Sequence, residues 1–171
     1  MDGACEIKDL ATMTDSVLAE AIAFCASKAR VDNSQTVRDR LRAGDKQVCE
    51  YCHYSLARQV AASLGELDDN VQAAYLYDFD VPGEGCNCDA ERRPSPIHLI
   101  VWASRKTAAL NAIVETWDRA LTQRYAELIG GQLPGHLLDV HVVDSAEVSR
   151  RTGYGALMTS LHHPPIEVWK R

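Results

Sequence analysis

Apolar residues first recur at helical spacing. Leu18, Ile22, Cys25 and Ala29 follow Thr14, and this spacing predicts a helix with Thr14 as its N-cap. Ser34 then reads as the cap of a short helix with Val37 and Leu41 inward, ended by Gly44. A third helix is expected from about Asp45 to Leu64, stopped by Gly65, with Cys49, Cys52, Leu56, Val60 and Leu64 on its inward line.

The period then falls to two. Val71, Ala73, Tyr75, Tyr77, Phe79 and Val81 alternate with Gln72, Ala74, Leu76, Asp78 and Asp80, which predicts a strand with the first set on its apolar face. Residues 82–96 are rich in Gly and Pro and read as a loop. Ile97 to Ala103 is an almost unbroken apolar run, the pattern of a central strand covered on both faces. Ser104 is the expected cap of the longest helix, with Leu110, Ile113, Val114, Trp117, Leu121 and Leu128 buried and Gly130-Gly131 at its end. Leu137 to Val143 is a third strand. Asp144 and Glu147 form a capping box for a further helix, which Gly153 and Gly155 interrupt, and Ile166–Trp169 is a last short strand.

This order predicts an α+β fold, a mixed sheet of about four strands with helices. A small helical segment (1–44) precedes an α/β domain (45–171) into which a cysteine-containing loop (82–96) is inserted. A chain of 171 residues fits one domain and can bury a core without metal or disulfide. Its net charge of −6 argues against a dedicated nucleic-acid binder. The basic positions Arg38, Arg40, Arg42 and Lys46 read as a solvated helix face. The acidic start Met1–Glu6 lacks a signal-peptide core, and no run approaches the roughly 18 continuous apolar residues of a membrane span. The expectation is a cytoplasmic protein with no membrane role, in which thiols stay reduced.

That expectation gives weight to the cysteines. Cys49-Glu-Tyr-Cys52 and Cys86-Asn-Cys88 are two close pairs separated by thirty-three residues. Positions three apart on a helix are neighbours, so Cys49 and Cys52 can share one ion. Two thiols flanking a single residue in extended backbone point the same way. Cys49, Cys52, Cys86 and Cys88 are therefore the expected ligands of a structural zinc, with no coordination position left open. The gap in the second pair differs from a zinc ribbon, and an iron–sulfur cluster or thiol redox chemistry uses the same four residues. Cys49–His53 also fits the pattern of covalent haem attachment, which the missing export signal opposes, and His53 can replace a cysteine as ligand. Cys25 reads as core and Cys5 as part of a mobile N-terminus.

Asp78 and Asp80 share one strand face and could hold Mg²⁺ with Asp139, although acidic residues also begin solvated loops. His98 and His141 lie in strands that could bring them face to face. His162-His163 reads as a surface loop. No phosphate-binding glycine loop, nucleophile elbow or dinucleotide fingerprint occurs.

From about Cys49 onward the order of elements resembles the minimal nucleotidyltransferase fold. Pro96-Ile97-His98-Leu99-Ile100-Val101 is similar to that family's second strand, with Pro96 and His98 where it carries carboxylates. Leu138-Asp139-Val140-His141-Val142 is similar to the third, with Asp139 at its third acidic position. The resemblance implies the fold. Without the carboxylate pair it does not imply two-metal phosphoryl chemistry. The preferred function is thus a zinc-stapled, non-catalytic binding or regulatory module with an unidentified protein or small-molecule partner. The rivals are a Mg-dependent nucleotidyltransferase using Asp78, Asp80 and Asp139, and an iron–sulfur or thiol redox protein.

Overall fold

The computed structural model describes residues 3–77, 96–131, 133 and 135–171, with backbone alone for residues 3–9. Asp78, Asp80, Cys86, Cys88 and nearly all of the 82–96 loop lie outside the described residues.

Three helices come first: α1 (Gly3–Ala29), α2 (Ser34–Arg42) and α3 (Lys46–Leu67). Strand β1 (Val71–Leu76) precedes β2 (Ile97–Ala103), helix α4 (Ala108–Ile129) and β3 (Leu138–Asp144). The short α5 (Ser145–Arg150), a 3₁₀ helix (Gly153–Thr159) and β4 (Ile166–Lys170) complete the chain. The strands form one mixed sheet in the order β3-β2-β1-β4. β1 is antiparallel to both β2 and β4, and β2 is parallel to β3 across the α4 crossover. The expected α+β class and four-strand mixed sheet are therefore present.

Helix starts follow side-chain chemistry more closely than spacing did. α1 begins well before Thr14, which is buried inside it and donates its hydroxyl to the Leu10 carbonyl at 2.7 Å. Asn33, not Ser34, caps α2 by accepting from Thr36 N–H at 2.7 Å. Thr107, not Ser104, caps α4 by accepting from Leu110 N–H at 3.0 Å. α4 ends at Gly130, whose φ of 68° is a left-handed cap that glycine adopts without strain. α3 runs two residues past Gly65, because that glycine is where the Trp169 ring of β4 lies against the helix. A Cβ there would fall 2.2 Å from the ring. The Asp144–Glu147 capping box is present as expected.

The largest departure is in β1. A bulge between Val71 and Ala73 shifts its parity, so Val71, Ala74 and Leu76 face the helices while Tyr75 and Tyr77 stand on the opposite side. Strict alternation had put Val71 and Tyr77 on one face. One inserted residue reverses every position after it.

The main core lies between the sheet and α3 and α4, and continues between those helices and α1. Ile97, Leu99, Val101 and Ala103 of β2 meet Leu56, Val60, Trp117 and Leu121 there. Buried Asp118 on α4 fixes the start of β3. It accepts from Leu138 N–H at 2.9 Å, from the Thr122 hydroxyl at 3.1 Å and from His136 Nδ1. Arg171 ties the end of β4 to the α3–β1 turn through the carbonyls of Val71 and Gly65.

The Leu10–Ala29 part of α1 is long and apolar enough, by length and composition, to cross a membrane, although its apolar residues are not continuous. It packs on α3 and α4 in this structure, burying Val17, Leu18, Ala21, Ile22 and Cys25.

Candidate functional site

Two groupings of chemically capable side chains stand on opposite sides of the sheet. The first is on the face away from α3 and α4, where the even positions of β2 point. The parallel register sets His98 beside Asp139 and Ile100 beside His141. His98 Nδ1 lies 2.8 Å from Asp139 Oδ2. A carboxylate only accepts, so Nδ1 carries a proton in this contact. His141 Nε2 is 3.1 Å from the other oxygen, Asp139 Oδ1, close enough for charge interaction but off the line of a hydrogen bond. The sequence allowed the two histidines to face each other; the register instead places Asp139 between them.

Tyrosines enclose this row. Tyr77 follows β1, donates its N–H to the His98 carbonyl at 3.1 Å and packs its ring 5.3 Å from that of His98. Tyr154 comes from the 3₁₀ helix and stacks on His141, with centroids 3.5 Å apart and planes 14° from parallel. Tyr77 and Tyr154 are themselves 5.7 Å apart. Gly155 permits this seating: a Cβ on it would meet the Glu147 backbone at 2.6 Å. Tyr154 keeps 39% of its surface exposed, so four rings and a carboxylate form a half-open patch. Strict alternation puts Tyr77 on the apolar face, and Tyr154 carries no sequence signal, because its position depends on how α5 folds back over β3.

The second grouping lies among the helices. Cys25 of α1 and Cys52 of α3 are fully buried, and Cys49 is half-buried. The Cys25 thiol sits 3.6 Å from the Val48 carbonyl, one turn before Cys52, and Cys52 lies within its hydrogen-bonding reach. Their contact lowers the Cys25 pKa, while the same contact and burial raise that of Cys52. Burial, with Asp45 next, pushes the Cys49 thiol up to about 11. His53 has a buried Nε2 without a hydrogen-bond partner among the described residues, and burial pulls it down to about 4. Tyr125, whose ring is 6.2 Å from that of His53, is pushed upward by burial and the neighbouring thiols.

Cys49 and Cys52 are thus on α3 as expected, with Cys52 turned to Cys25, a residue assigned only to the core. Cys86 and Cys88 lie outside the described residues, and no three His, Cys, Asp or Glu side chains among the described residues are arranged to hold a metal ion. Compared with known proteins, the chain matches no family model, no curated protein and no solved structure.

Proposed function

We propose that this chain is a non-catalytic binding module on a nucleotidyltransferase-like frame, and that its ligand is a small molecule carrying a nucleobase-type ring. The observation that carries this reading is the His98–Asp139–His141 row framed by Tyr77 and Tyr154. The exposed Tyr154 ring, with half-buried Tyr77 beside it, favours planar partners by stacking. The carboxylate and imidazoles supply acceptors and donors at the rim of the same patch. In the resembled family the His98 and Asp139 positions carry carboxylates, and their adjacency in the parallel register supports that comparison. With His98 replacing one carboxylate, the metal-holding set of two-metal phosphoryl transfer is incomplete at these strands.

The test is calorimetric titration with adenosine, guanosine, cytidine and uridine, with and without Mg²⁺. Metal-independent binding of one nucleoside, lost in Asp139→Ala, supports the module. Transfer of a labelled nucleotide that needs Mg²⁺ and disappears in Asp78→Asn or Asp80→Asn would replace it with the enzyme reading.

The zinc staple through Cys49, Cys52, Cys86 and Cys88 belongs to the same proposal, as does a cytoplasmic location. Zinc at these residues requires Cys52 to exchange its contact with Cys25 for the metal. Elemental analysis of protein purified without oxygen tests it: one zinc per chain, reduced in Cys88→Ser, is the expected result. A brown protein containing iron would point to a cluster instead.

A further inference from the structure

The polar row on the outer face of the sheet has a carboxylate at its centre with acceptor capacity to spare. A carboxylate offers about four acceptor positions on its two oxygens. His98 Nδ1 takes one of them, on Asp139 Oδ2, at 2.8 Å. His141 Nε2 stands 3.1 Å from Oδ1 without the alignment of a hydrogen bond. Both oxygens therefore keep lone pairs for a ligand, and the Asp139 side chain is 41% exposed. The bond from His98 on the neighbouring strand also holds this carboxylate in place, so a ligand freezes less side-chain freedom on binding.

Nucleobases differ in what they present to two acceptors side by side. Guanine carries N1–H and the 2-amino group next to each other on its base-pairing edge, so one carboxylate accepts from both at once. Adenine and cytosine place a single amino group beside a ring nitrogen that itself accepts. Uracil places one N–H between two carbonyls. With those three, one carboxylate oxygen gains a hydrogen bond while the other faces a lone pair.

We propose that Asp139 is the specificity-determining residue of the outer-face site and selects a guanine-type base by accepting from N1–H and the 2-amino group together. This inference rests on the binding-module reading above. Tyr154, stacked on His141 beside this carboxylate and 39% exposed, supplies a flat surface for the ring.

The test is calorimetric titration of the full chain, without Mg²⁺, with guanosine, inosine, adenosine, cytidine, uridine and methylguanidine. Histidine-selective NMR reports where each one binds. Guanosine should bind at least about tenfold tighter than inosine, which keeps N1–H and lacks the 2-amino group. Methylguanidine presents a similar pair of donors without the fused ring, and should bind at least about tenfold more weakly than guanosine. Asp139→Asn replaces one acceptor with a donor and should bring the guanosine-to-inosine ratio close to one. If that variant does not fold, the ratio in the wild-type chain decides alone. Tightest binding of adenosine, cytidine or uridine, with shifts at His98 and His141, would overturn the guanine assignment and leave the binding module standing. Equal affinity for guanosine and inosine, an undiminished ratio in Asp139→Asn, or methylguanidine binding as tightly as guanosine would do the same. Unmoved His98 and His141 with every nucleoside would overturn the module and this inference together.

Discussion

The two faces of β2 differ in kind. Toward the helices, Ile97, Leu99, Val101 and Ala103 form an apolar surface without a polar atom in their side chains. On the other side His98 and Ile100 stand beside Asp139 and His141, with Tyr154 stacked on His141; His98 pairs with Asp139, and Trp102 Nε1 donates to the Ser145 hydroxyl at 3.2 Å. The same seven residues therefore serve stability on one face and present chemistry on the other. Burial separates the two roles. A side chain enclosed by helices contributes through excluded water and close packing, whereas a half-open ring keeps surface for a ligand.

The largest test of that contrast is a pair of truncations. Leu99→Ala should cost about 3–4 kcal/mol in urea unfolding, as buried leucines do. His98→Ala should cost about 1 kcal/mol, since it removes one half-exposed hydrogen bond. Equal costs would mean that the outer face is structural as well.

Acid should strike the helical side next. His53 is held neutral in the fold, down at about 4, while its unfolded value is near 6.5. The unfolded chain gains a proton first as pH falls. The fold thus has its full His53 contribution above about 6.5 and loses it progressively down to about 4, by about 3 kcal/mol. His53→Phe should flatten this window in denaturation curves at pH 7 and pH 5. An unchanged slope would place the pH sensitivity elsewhere. The smallest effect belongs to the element that presents Tyr154. Asp144→Ala removes the α5 cap and should lower stability by about 1 kcal/mol. If Tyr154 depends on that element, its ring should also become more accessible to solvent quenchers.

Much of this layout was legible in the sequence because periodicity reports burial. The α+β class, β2, β3, the α4 stripe and the Asp144 box all follow from spacing and capping chemistry. Alternation does not give the faces of β1, because a bulge leaves no mark in a pattern of alternating Val, Ala and Tyr. The start of α1 lies before the point that capping chemistry marks, because Thr14, a good cap by type, instead bonds back to Leu10 within the helix. The open-face site was half visible. Asp139, His98 and His141 stood out in the strands, but their order across the sheet depends on a register that only the α4 crossover sets. Cys25 met Cys52 through helix packing twenty-seven residues apart, which no local spacing encodes.

The central claim is that the outer face of the sheet binds the ligand. Histidine-selective NMR during titration with the four nucleosides tests it most directly. The account predicts saturable shifts at His98 and His141, with His53 and His136 unmoved. The shifts should persist without Mg²⁺ and weaken at least about tenfold in Asp139→Ala, the loss of one charge-assisted contact. Titrations that leave His98 and His141 unmoved, or that move His53 instead, would contradict it.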